Sequence, residues 1–241
     1  MSKDPGTDLP NLAFNDFTTR PIAIVPERKP SWRGWIHTGV LPIVIAAGIV
    51  LVVLANGIPA KIVDSIFFAS SILLFGNSAL YHRFNWKPKT KVILKRIDHA
   101  NILLLIAGSY TPITWLALPQ SKALMLMCII WGTAILGIGF RVFWIHAPRW
   151  LYVPIYIGMG WVALAFVVDF MNANAPMMIL ILAGGLMYSI GAAAYAFKWP
   201  GKDAKNFGFH EVFHAFTVAA FLCHWTGILL ISLSPAAGSF G

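Results

Sequence analysis

The stretch Phe207-Gly-Phe-His210-Glu-Val-Phe-His214-Ala-Phe-Thr-Val-Ala-Ala-Phe-Leu-Cys-His224-Trp-Thr-Gly-Ile-Leu-Leu-Ile-Ser-Leu233 decides the fold. It is long enough to cross a hydrocarbon core, which takes about 20 apolar residues. Its only Asp, Glu, Lys or Arg is Glu211. It also opens with two histidines four residues apart, on one face of a helix. An imidazole at membrane depth is costly without a partner. A single cation can join the pair. One stretch therefore predicts both a membrane span and a site at its mouth.

The rest of the chain repeats the first property. Of 241 residues 58% are hydrophobic and 11% charged, where a soluble domain carries about a quarter charged. That deficit excludes a soluble enzyme. Seven segments read as spans, at about residues 38–56, 62–84, 97–118, 122–144, 150–171, 175–197 and 209–233. The expected fold is an all-α, seven-transmembrane helix bundle over residues 35–234. It is preceded by a polar segment at 1–34 and followed by a short tail at 235–241. Turn residues separate the runs, among them Asn56-Gly57-Ile58-Pro59, Leu118-Pro119-Gln120 and Asn172-Ala173-Asn174. Pro112 and Pro154 fall within spans and are expected to kink them. The N-terminal segment is polar and Pro-rich and lacks the pattern of a cleaved leader, so the first run is expected to remain as an anchor. Cys128 and Cys223 each sit alone in an apolar run, which makes neither a disulfide framework nor a zinc-finger spacing.

The net charge of +9 does not point to nucleic acid, because the basic residues lie between apolar runs and form no stripe on a soluble fold. It orients the bundle instead. Sixteen of the 18 Lys and Arg fall before the first span or in alternate connections, and only Lys61 and Lys122 fall on the other side. The positive-inside rule then predicts a cytoplasmic N-terminus and an external C-terminus. Tryptophans 32, 35, 86, 144, 150 and 199 lie on the basic side, as an interfacial belt would. With no internal repeat visible, an inverted-repeat transporter has no support.

This topology brings distant polar residues to one depth. Ser78 and His82 end the second span, Asp98 begins the third, and His210 and His214 begin the seventh, all at the cytoplasmic end. Three histidines and an open fourth position for water make a catalytic zinc pattern. Zinc lowers the pKa of such water to about 7. Asp98 is suited to hold that water or take its proton. Ser78, one turn before His82, can donate to the water, to a carbonyl or to a supporting partner. The plainer alternatives are an interfacial His82, an Asp98 paired with Arg96 or Lys95, and a Ser78 that lets helices approach. His99 is expected to face elsewhere, and His37 and His146 to be interfacial. His224 falls on a different face near mid-membrane, within reach of Ser or Thr. Asp64 and Asp169 are expected to be solvated at the outer ends.

His210-Glu211-Val212-Phe213-His214 is also a literal His-Glu-x-x-His, the zincin pattern, in which Glu acts as general base. An intramembrane metalloprotease is therefore an alternative. Against it, no Asp-Gly occurs to supply a third ligand, and His82 and Asp98 would go unexplained. Glu211 is expected otherwise to face headgroups or to pair with Lys202 or Lys205.

The motifs Ser78-Ala-Leu-Tyr-His82, Arg96-Ile-Asp98-His99-Ala, Tyr110-Thr-Pro112 and His210-Glu-Val-Phe-His214 together resemble the hemolysin III family, the bacterial branch of the progestin and adipoQ receptor (PAQR) group. The resemblance covers about residues 30–233. It implies a multi-pass protein of the inner (plasma) membrane, with seven helices and a cytoplasmic N-terminus. It implies Zn2+ at His82, His210 and His214, with Asp98 and Ser78 as catalytic residues. The wider superfamily includes alkaline ceramidases, which implies hydrolysis of an amide-linked, ceramide-like lipid whose acyl chain lies between helices. The family's cytolysin name implies membrane permeabilisation or a channel as an alternative, and its receptor members imply a regulatory protein with structural zinc. The outer loops are too short for a sizeable hormone-binding domain.

Overall fold

The computed structural model describes residues 30–144, 147–201, 205–236 and 239. Most of the 1–34 segment, the end of the 235–241 tail, His146 and Lys202 lie outside the described residues. Among those described, the regular structure is entirely helical: α1 Trp35–Leu54, α2 Ile58–Arg83, α3 Pro88–Ala117, α4 Gln120–Phe143, α5 Arg149–Trp161, a 3₁₀ turn Val162–Phe166, α6 Val167–Phe197 and α7 Phe209–Leu233. Six helical stretches are long and apolar enough to cross a membrane, Trp150–Phe197 counting as one of 48 residues.

That stretch would be about 72 Å long if straight, more than twice the hydrocarbon thickness. It does not run straight. Asn174 leaves helical geometry (φ −161°, ψ 96°), and its Oδ1 accepts a hydrogen bond from Met177 N–H at 2.9 Å. This is an N-cap in the extended region, with Pro176 where a missing N–H costs nothing. The chain folds back there: Trp161 Nε1 donates to Ser189 Oγ at 2.9 Å, across 28 residues that a straight helix would spread over about 42 Å. The expected connection at Asn172-Ala173-Asn174 is thus a capped kink.

Other breaks follow the same punctuation. Pro59 and Pro88 stand in the first turns of α2 and α3, and Pro119 precedes α4. α3 begins nine residues before the expected span, because Lys89, Lys91 and Lys95 occupy helical turns beyond the apolar part. Asp98 consequently lies in the third turn of its helix and not in the first.

The bundle closes with α1 against α2 and α7, α6 against α7, and α3 at the centre. In α3, 78% of the apolar window is buried, against 22% in α1 and in α4. Phe67, Phe75 and Phe221 pack ring to ring at 5.1 and 5.7 Å. Outward faces remain apolar, with Leu136 77% and Phe143 88% exposed, as lipid contact allows and water does not. α2 and α3 approach where Gly108 meets the Ser70 side chain, leaving no room for a Cβ; small residues permit such contacts between membrane helices. Three hydroxyls bond to their own preceding turns, Ser71 to the Phe67 carbonyl, Thr111 to Ala107 and Thr217 to Phe213. These three are satisfied locally, within their own helices.

Two expectations are corrected. Asp64 is fully buried, not solvated, and accepts from Ser232 Oγ at 3.0 Å. Arg141, counted above among the basic residues of the connections, lies within the last turn of α4, 1% exposed, over the Tyr152 ring at 4.2 Å. Asp169 is partly exposed as expected and pairs with Lys122 at 2.7 Å.

Candidate metal centre

The last turn of α2 carries His82, and the first two turns of α7 carry His210 and His214. One ligand atom from each of these histidines lies within 4.8 Å of the other two. His82 Nε2 and His210 Nε2 are 3.1 Å apart. Ring nitrogens bound to one tetrahedral zinc at 2.0–2.1 Å would stand about 3.3 Å apart. The donor set and spacing fit a zinc ion, and the imidazoles come from helices distant in sequence. Asp98 Oδ2 lies 3.6 Å from His82 Nε2, so it faces the cluster and not Arg96 or Lys95. Ser78 is buried one turn before His82 and lines a cavity together with Asp98, His210 and His214. All five residues singled out from sequence are brought together.

The cavity has a volume of about 150 Å³. It begins at Ser78, Asp98 and His214 and continues along α3 to Ile113. Fifteen residues separate Asp98 from Ile113, about 22 Å of helix. Ile106, Leu182 and Met178 give its deeper walls an apolar surface. The arrangement offers a polar head at one end and a narrow apolar sleeve below it.

Three histidines depart from expectation. His99 does not face away: it lines this cavity, with its ring 6.0 Å from Tyr152. His224 lies deeper, and its partner is the Ile181 carbonyl at 3.2 Å, not a hydroxyl. His37 is not interfacial. It is 2% exposed and stacks on His214 with ring centroids 3.9 Å apart and planes within 4°. Both its ring nitrogens are buried without a hydrogen-bond partner among the described residues. Sequence reasoning missed His37. The available signal was its position at the basic end of the first span, the depth already assigned to the other three.

Glu211 is also placed differently from expectation. It is 1% exposed, pairs with Arg33, and accepts from Gly208 N–H at 2.9 Å through Oε2. It therefore pins the start of α7 and faces neither headgroups nor Lys205; the expected alternative, Lys202, lies outside the described residues.

The family described as haemolysin-III related matches residues 27–225, a range that holds every residue of this site. The chain belongs to that family. Within it, the chain is 34% identical to the hemolysin-3 homolog of Bacillus subtilis (strain 168) over 164 residues, 66% of this chain and 74% of the relative. It is 30% identical to hemolysin-3 of Bacillus cereus over 179 residues, 74% of this chain and 78% of the relative. The PAQR side of the group appears in progestin and adipoQ receptor-like protein 1 of Caenorhabditis elegans, 27% identical over 187 residues, 70% of this chain but 43% of that longer protein. The haemolysin-III fold seen here is thus a multi-pass membrane protein whose polar cluster lies within the shared region.

Proposed function

We propose that this haemolysin-III protein crosses the inner membrane seven times, with its N-terminus in the cytoplasm and its C-terminus outside, and hydrolyses an amide-linked, ceramide-like lipid at a zinc ion held by His82, His210 and His214. The reversal at Asn174 supports dividing the 48-residue stretch into two spans, and the bias of basic residues supports the orientation. The single observation that carries the reading is the junction of the histidine cluster with an apolar cavity.

Zinc bound there supplies Lewis acidity to a carbonyl oxygen and to water. Asp98 takes the proton of the attacking water as its oxygen adds to the amide carbon. The C–N bond then breaks, and Asp98 returns the proton to the departing amine. Ser78 donates its hydroxyl towards the carbonyl oxygen, where negative charge develops. The sleeve beside Ile106 and Leu182 holds the acyl chain and keeps bulk water from the head of the cavity.

The protease alternative is disfavoured because the Glu211 carboxylate is engaged by Arg33 and Gly208. A channel is disfavoured because Ser71, Thr111 and Thr217 turn their hydroxyls back onto their own helices. A purely structural zinc is the second reading, favoured by the way His82 ties α2 to the two histidines of α7. The test is fatty-acid release from a panel of ceramides and other N-acyl lipids in reconstituted membranes. Hydrolysis that falls about 10²–10⁴-fold in Asp98→Asn with metal retained is expected. No release from any N-acyl lipid favours the structural metal.

A further inference from the structure

A run of contacts converges on His37. Backbone N–H groups of Ser31 and Trp32 donate to the carbonyls of Lys205 and Asn206 at 3.2 and 3.3 Å. Arg33 pairs with Glu211 in the first turn of α7. Gly34 follows with φ +82°, and a Cβ there would lie 2.7 Å from Arg83 N and 2.9 Å from the His82 carbonyl carbon. Only glycine takes this conformation cheaply and lets the backbone lie against the end of α2. Trp35 receives the Arg83 guanidinium over its ring at 4.2 Å. Each contact fixes the entry of α1 against α2 or α7, and the first turn of α1 then delivers His37 face to face with His214. Phe75 meets the His37 ring edge-on at 4.9 Å.

We infer that His37 is a positioning residue for the metal centre: its ring, held by the Ser31–Trp35 strap, fixes the plane of His214 and closes one face of that ligand. The inference rests on the proposed metal site and adds a part that the family motifs do not contain. An imidazole ligand must point a lone pair at the metal, so its ring plane matters as much as its distance. Among the described residues the His214 ring has no hydrogen-bond partner, so stacking on His37 supplies the restraint that a hydrogen bond usually gives such a ligand.

The experiment uses full-length protein in lipid nanodiscs, loaded with cobalt(II) in place of zinc. It reads the visible absorption of the bound metal and the rate at which a chelator removes zinc. Wild type, His37→Ala, His37→Leu and His37→Phe are compared. His37→Ala and His37→Leu are expected to alter the cobalt spectrum and to speed zinc release about 10-fold or more, and His37→Phe, which keeps a flat ring, to restore both. His37→Leu keeps the volume, so it reports if His37→Ala fails to fold. Unchanged spectra and rates in His37→Ala and His37→Leu overturn the inference while leaving the metal site intact. His37→Phe as defective as His37→Leu also overturns it, because the nitrogens would then matter and not the stack. Wild-type protein that takes up neither metal overturns the metal site and this inference together.

Discussion

Breaking the Arg33–Glu211 pair tests how α7 is held. The Glu211 side chain is 2% exposed and that of Arg33 19%. Arg33→Met would leave a buried carboxylate whose remaining protein partner is the Gly208 N–H. Removing one member of a buried pair costs about 3–5 kcal/mol. Because Arg33 is partly open to solvent, water can enter the vacated space, and about 3 kcal/mol is expected. Glu211→Gln keeps an oxygen for Gly208 N–H and strands only a partly solvated guanidinium, at about 1 kcal/mol. The double variant leaves no unpaired buried charge and should also lose only about 1 kcal/mol, a coupling of about 3 kcal/mol. For a chain of this size Arg33→Met should lower the melting temperature by about 6–12 °C. Tryptophan fluorescence on heating, in nanodiscs, measures all four proteins. Additive losses would refute the pairing. A Glu211→Gln protein that keeps its metal and stability but loses hydrolysis by orders of magnitude would make Glu211 a catalytic base and revive the zincin reading.

Three further outcomes follow from individual contacts. Gly34→Ala forces a left-handed non-glycine residue, at about 1–2 kcal/mol, and pushes the backbone at His82 and Arg83; a lower melting temperature with faster zinc loss is expected. Asp64→Asn keeps an oxygen for Ser232 Oγ while removing a buried carboxylate, one of whose oxygens has no partner; thermal unfolding within about 1 kcal/mol of wild type, or above it, is expected. Ile106→Trp narrows the sleeve below Asp98, so a chain-length series should show preference moving to shorter acyl groups with metal content unchanged.

The apolar runs made most of the fold legible, because length and composition are what a bilayer demands of a span. The fold-back near Asn174 was visible for the same reason that it forms: Asn and Pro at the start of a new helix. The early start of α3 was not, since an apolar run marks hydrocarbon depth while Lys89, Lys91 and Lys95 continue the helix beyond it. His82, Asp98, His210 and His214 were legible because charge-based topology assigned them one depth. Which way a residue points around its helix was harder. Asp64 reads as an outer-end carboxylate until Ser232 is seen beside it. Glu211 reads as an interfacial acid or a zincin base until Arg33 arrives from before α1. His37 is a lone histidine in sequence and acquires meaning only because Gly34 lets α1 lie against the end of α2.

The metal content of purified protein tests the central claim most directly. The account predicts close to one zinc per chain in wild type. Zinc should be lost in His82→Ala and in His214→Ala, each checked for folding by thermal unfolding, and retained in Asp98→Asn. A folded wild-type protein free of zinc after purification without chelators, and unable to take it up when supplied, would contradict the account.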